Sequence, residues 1–152
     1  MANTSRTDRR TPIQTAALAV GAVFLLVGIL GFIPGVTGNY AALGAAGPTS
    51  GALLLGVFQV SILHNIVHLL FGVAGIAMSR TATQARNFLV GGGVVYLILW
   101  LYGLLVPHES PANFVPVNGA DNWLHLVLGL GMLGLGLVLA RGVTMAGRTA
   151  RG

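Results

Sequence analysis

The polar chemistry of this chain is concentrated in one element that occurs twice. Asn65, His68, Leu69 and Gly72 form an Asn-x-x-His-Leu-x-x-Gly pattern, and Asn122, His125, Leu126 and Gly129 repeat it. His64 precedes the first copy directly. At about 100° per residue, His64, Asn65, His68 and Gly72 fall within an arc of about 100°, and Asn122, His125 and Gly129 within about 60°. Each copy therefore gives its helix a single polar stripe. Imidazole and carboxamide groups facing lipid would be unsatisfied, so the stripes should point into the protein and toward one another.

Four chemistries suit such stripes. The first is structural: Asn65 and Asn122 hydrogen-bond neutral His68 and His125 across the helix interface, each bond contributing up to about 2 kcal/mol. The second is b-type haem held by His68 and His125 as axial imidazoles, with Gly72 and Gly129 leaving room for the macrocycle. The third is a zinc or copper ion on His64, His68 and His125, because two histidines at i and i+4 share a helix face. Its weakness is that Glu109, His108 and Asp121 would have to fold over from an outer loop to complete the site. The fourth is proton or ion conduction through imidazole, which the absence of Asp, Glu, Lys and Arg from the spans disfavours. No Ser-His-Asp set, P-loop, dinucleotide-binding or kinase pattern is present, so no catalytic residue is assigned and the chain is read as a non-enzyme. The structural reading requires no cofactor.

The elements that must hold these residues are set by composition. Of 152 residues, 55% are hydrophobic and 7% charged, with a mean hydropathy of +0.83. Soluble domains carry roughly a quarter charged residues, and no Asp, Glu, Lys or Arg occurs from Thr11 to Ser79. This is the composition of a membrane protein. The net charge of +5 comes from arginines flanking apolar segments, which fits anionic lipid headgroups better than nucleic acid. With no cysteine, disulfides and thiolate ligands are excluded.

A helix crossing the hydrocarbon core needs about 20 apolar residues. Four windows qualify, at about 13–33, 61–78, 88–106 and 122–140. Pro12 suits the first helical turn and Pro34-Gly35 stops the first helix. Its length, and the lack of a small-x-small site after it, argue against a cleaved signal peptide. The second span is best started near Ser61, because aligning the two histidine elements pairs Ser61 with Asn118. Leu53 to Val60 then becomes an interfacial or re-entrant part of the first outer loop. Arg6, Arg9 and Arg10, Arg80 and Arg86, and Arg141, Arg148 and Arg151 all fall on one side of a four-span arrangement. The positive-inside rule places that side, with both termini, in the cytoplasm.

The fold expected is thus an all-α membrane protein of four transmembrane helices, arranged as two parallel-repeat hairpins about a pseudo-axis along the membrane normal. Residues 1–12 and 142–152 are basic cytoplasmic tails flanking a 13–141 transmembrane domain. His68 lies 12 residues before Arg80 and His125 lies 16 before Arg141. At 1.5 Å per residue that is roughly 18 and 24 Å, in the outer half of the bilayer. Tyr96, Trp100, Tyr102 and Trp123 suit packing or interfacial anchoring, and Asp121 suits a cap on the fourth helix.

The run Leu63-His64-Asn65-Ile66-Val67-His68-Leu69-Leu70-Phe71-Gly72, followed by Ala74-Gly75 and the later Trp123-Leu124-His125-Leu126, resembles an actinobacterial membrane family. That family is domain of unknown function 4383, and the resemblance covers about Ile13 to Arg141. It implies a four-helix protein of the bacterial plasma membrane and brings no activity or catalytic residue. An acidic residue often stands in the family pattern where this chain has Gln59, so the resemblance lends no support to a cation site there. The role expected is that of a structural or accessory subunit, with a membrane protein partner or a second copy of the chain; the competing class is a haem-containing electron carrier.

Overall fold

A computed structural model describes residues 10–149, apart from the side chains of 141–149. Four helices dominate: α1 (Pro12–Leu30), α2 (Ile62–Met78), α3 (Ala82–Leu105) and α4 (Gly119–Thr149). The segment between α1 and α2 adds three short strands, β1 (Thr37–Gly38), β2 (Ala52–Leu54) and β3 (Phe58–Val60). They form an antiparallel sheet in the order β1-β2-β3, with Leu53 opposite Gln59 and Thr37 opposite Leu54. The protein is therefore mostly helical, and the apolar stretch read as a re-entrant piece is a β-hairpin. Pairing within the sheet satisfies backbone groups that a lone re-entrant strand would leave open.

Pro12–Leu30, Ala82–Leu105 and Gly119–Ala140 are long and apolar enough to cross a membrane. α2 is apolar but has only 17 residues, about 25 Å against a hydrocarbon core of about 30 Å. At its outer end the chain continues as sheet instead of helix. α1 stops at Leu30, short of Ile33, and Thr37 Oγ1 donates to the carbonyls of Leu30 and Gly31, which the helix itself leaves unpaired. α3 begins at Ala82, well before Phe88, because Thr81 caps it through the amide of Gln84. Gln14 Nε2 donates to the Arg80 carbonyl, so the start of α1 and the α2–α3 turn lie at one end with Arg10, Arg80 and Arg86. Arg6, Arg9 and Arg151 lie outside the described residues, as do the side chains of Arg141 and Arg148.

The internal repeat is visible in the packing. A Cβ placed on Gly21 of α1 would lie 2.7 Å from the Ile76 amide nitrogen and 3.0 Å from the Gly72 carbonyl of α2. On Gly93 of α3 it would lie 2.7 Å from the Leu133 nitrogen and 2.9 Å from the Gly129 carbonyl of α4. Leu25 packs on Gly72 just as Leu97 packs on Gly129. α1 and α3 positions correspond at an offset of 72 residues, and α2 and α4 positions at 57. The difference is the longer α1–α2 segment, which holds the sheet. Between the hairpins, Phe24 and its counterpart Tyr96 stack at 5.3 Å.

Because backbone meets backbone at Gly21 and Gly93, overpacking there should cost about 1–3 kcal/mol. Gly21→Ala and Gly93→Ala are each expected to lower the melting temperature in detergent, while Gly91→Ala, with nothing within 4 Å of its Cβ position, is not. Circular dichroism melts of the three variants check this.

Candidate functional site

The repeated element divides its labour. Asn65 on α2 lies against Gly31 at the end of α1, and Asn122 on α4 lies against Gly103 on α3; a Cβ on either glycine would collide with the carboxamide. The asparagines thus pack within their own hairpins. The histidines turn to the interior. His68 stacks on Phe24 at 5.9 Å, and His125 meets Tyr96 edge-on at 5.3 Å. With the Phe24–Tyr96 stack these four rings run as a chain across the pseudo-axis. His64 lies 4.5 Å from His68 and 6.5 Å from His125, ring centre to ring centre.

This arrangement corrects the expected Asn–His hydrogen bonds. Both polar atoms of the Asn65 carboxamide, Oδ1 of Asn122 and Nδ1 of His68 and His125 are buried without a hydrogen-bond partner. An asparagine directed at the glycine of its own hairpin has no reach to the imidazole one turn along. Gly72 and Gly129 are packed against by Leu25 and Leu97 respectively. Among the described residues, no three His, Cys, Asp or Glu side chains converge as a metal-ligand set. His64 and His68 lie beside one another with tilted rings, and His108 and Glu109 are exposed on the α3–α4 loop.

His64, His68 and His125 instead share a cavity of about 410 Å³ between α1 and α4, roofed by the β2–β3 hairpin. Its walls are apolar apart from these imidazoles and Asp121: Val20, Val23, Phe24 and Val27 come from α1, Leu54, Leu55, Phe58 and Val60 from the hairpin, and Leu124 and Leu128 from α4. At the rim, Val23 and Leu55 are 57% and 63% exposed. On the pseudo-equivalent side, between α3 and α2, Phe71 stands where this cavity has Leu128. Phe71 packs on Phe24, Tyr96 and Phe88, so that side is filled from within.

Asp121 is the residue whose role was missed. The repeat offset that pairs Ser61 with Asn118 also pairs His64 with Asp121. Both N-caps work alike: Ser61 Oγ accepts from the His64 amide at 3.1 Å, and Asn118 Oδ1 accepts from the Asp121 amide at 2.9 Å. Asp121 Oδ2 in turn accepts from the Asn118 amide at 3.0 Å, closing a capping box. The paired residues then hold one peptide of the hairpin from two sides. Asp121 Oδ2 accepts from the Gln59 amide at 2.9 Å, and His64 Nδ1 donates to the Gln59 carbonyl at 3.1 Å. Asn118 Nδ2 adds a bond to the Val57 carbonyl at 2.8 Å. The Gln59 side chain donates to the Ser50 carbonyl at 2.7 Å, a bond that a carboxylate at this position could not make.

A family model described as Domain of unknown function (DUF4383) matches residues 14–138. No curated protein and no solved structure matches the chain.

If the Asp121 carboxyl group anchors the hairpin, Asp121→Ala removes the acceptor of two backbone bonds, each contributing about 0.5–1.5 kcal/mol. The Gln59 amide should then exchange with deuterium at least about tenfold faster, with the amides of α1 and α3 little changed. Hydrogen-exchange mass spectrometry of the hairpin measures this.

Proposed function

We propose that the chain, which belongs to the DUF4383 family, is a non-enzymatic four-span protein of a bacterial plasma membrane that holds a ligand from the bilayer as an accessory subunit of a larger membrane assembly. The observation that carries this reading is the cavity itself. Three imidazoles, two with an unpartnered ring nitrogen, lie at the inner end of an otherwise apolar space that opens between helices whose outer faces suit lipid. Pockets of this size and lining take small molecules.

The chemistry of the lining favours recognition over reaction. Its carboxylate is already engaged by two backbone amides, and no serine, cysteine or lysine stands beside the imidazoles to act as a nucleophile. Four spans with cytoplasmic termini fit the arginines at the α2–α3 turn and before α1. In this reading the sheet makes up the depth that α2 lacks, its backbone buried against protein. The apolar faces of the helices would meet lipid, a membrane protein partner or a second copy, and the basic ends anionic headgroups.

Extraction in a mild detergent followed by size-exclusion chromatography and native mass spectrometry tests the proposal. A co-purifying membrane protein and a bound small molecule are expected, with no Soret band even when cells are supplied with haem. A protein that runs alone and empty under every gentle extraction would contradict it.

A further inference from the structure

The character of the cavity narrows what it can hold. Charge is costly inside a helix bundle, and among the described residues no lysine or arginine lines this space to neutralise a phosphate or carboxylate. The imidazoles nonetheless call for a polar partner: His68 is 9% exposed and His125 4%, both line the cavity, and Nδ1 of each is buried and unpartnered. Leaving such groups without a hydrogen bond costs about 1–3 kcal/mol. The space of about 410 Å³ suits one small head and part of one chain, at the lower end of the range for ligand pockets.

The roof points to the route of entry. β2 and β3 are joined through Leu55, Gly56 and Val57, the first two at φ values of 53° and 72°. Two consecutive positive φ angles make a tight hairpin turn in which Asn or Asp usually takes the first place, because a larger side chain in the left-handed region costs about 1–2 kcal/mol. Here that place is held by an exposed leucine at the cavity rim. A leucine is an expensive choice for a turn in water and a favourable one for a turn in contact with acyl chains.

We infer that the cavity takes the head of an uncharged, single-tailed lipid bearing a carbonyl or hydroxyl oxygen, admitted sideways from the bilayer past Val23 and beneath the Leu55 turn. The inference rests on the ligand-binding reading above and names the ligand's chemistry. A carbonyl head accepts a hydrogen bond from an imidazole N–H; a hydroxyl head can both donate and accept. The tail leaves between α1 and α4, where Val23 and Leu124 form the rim.

Thermal melts of the full-length protein in detergent, with decylubiquinone, farnesol, oleate or dioleoyl phosphatidylglycerol added, separate the possibilities. Decylubiquinone or farnesol should raise the melting temperature by several degrees, the larger shift identifying a carbonyl or a hydroxyl head, while oleate and phosphatidylglycerol do not. The double variant His68→Leu/His125→Leu should lose the shift. Val23→Trp, a change at an exposed position that leaves both imidazoles in place, should lose it by blocking the mouth. An equal or larger shift with oleate or phosphatidylglycerol that the variants abolish would keep the binding site and overturn the uncharged head. A shift retained in Val23→Trp would overturn entry between the helices. No shift with any of the four, from a preparation that also carries no bound lipid, would overturn the ligand-binding reading itself.

Discussion

Helices surrounded by lipid gain nothing from hiding apolar side chains from one another, so their association rests on close contact and on polar groups that lipid cannot satisfy. In this chain close contact is supplied by glycine. Gly21 against Gly72 and Ile76, and Gly93 against Gly129 and Leu133, bring the two helices of each hairpin to backbone distance. That approach sets the rotation of α2 and α4, and the rotation sends Asn65 and Asn122 to Gly31 and Gly103. It also turns His64, His68 and His125 toward the interior. The site follows from the packing.

Duplication alone would give two equivalent grooves, and the structure departs from that symmetry at particular positions. Phe71 fills the interior on one side where the smaller Leu128 leaves room on the other. His64 in one copy is Asp121 in the second, and the pair no longer acts as two equivalent groups: one accepts from the Gln59 peptide and the other donates to it. The extra length of the α1–α2 segment provides the hairpin so held. A roofed cavity on one side of a pseudo-symmetric bundle is the result, and its polar end is made by residues from both copies.

Much of this was legible in the residues. The uncharged windows marked the helices, Arg10, Arg80 and Arg86 lie at one end, and the repeated Asn-x-x-His element marked buried polar residues on α2 and α4, though not their partners. What could not be read was which neighbour each side chain chooses. Asn65 and His68 share a helix face, but a face about 100° wide spans two different contacts, and only the position of Gly31 decides that the asparagine belongs to one of them. Gly72 and Gly129 read as open space because a glycine in sequence does not say whether its missing side chain is replaced by a ligand or by another backbone. The hairpin was hidden for a different reason. Its strands have three residues each, too few for an alternating pattern, and Leu53-Leu54-Leu55 reads as apolar helix or re-entrant loop until Gln59 and Ser50 are seen to pin it.

The central claim is that each copy sends its asparagine to the glycine of its own hairpin and its histidine to the shared cavity. Nuclear Overhauser contacts in a methyl-protonated, otherwise deuterated sample with protonated Asn, Gly and His test it most directly. The account predicts cross-peaks from the Asn65 side-chain amide to the Gly31 α-protons and from the Asn122 amide to those of Gly103. Cross-peaks from these amides to the His68 and His125 rings in their place would contradict it.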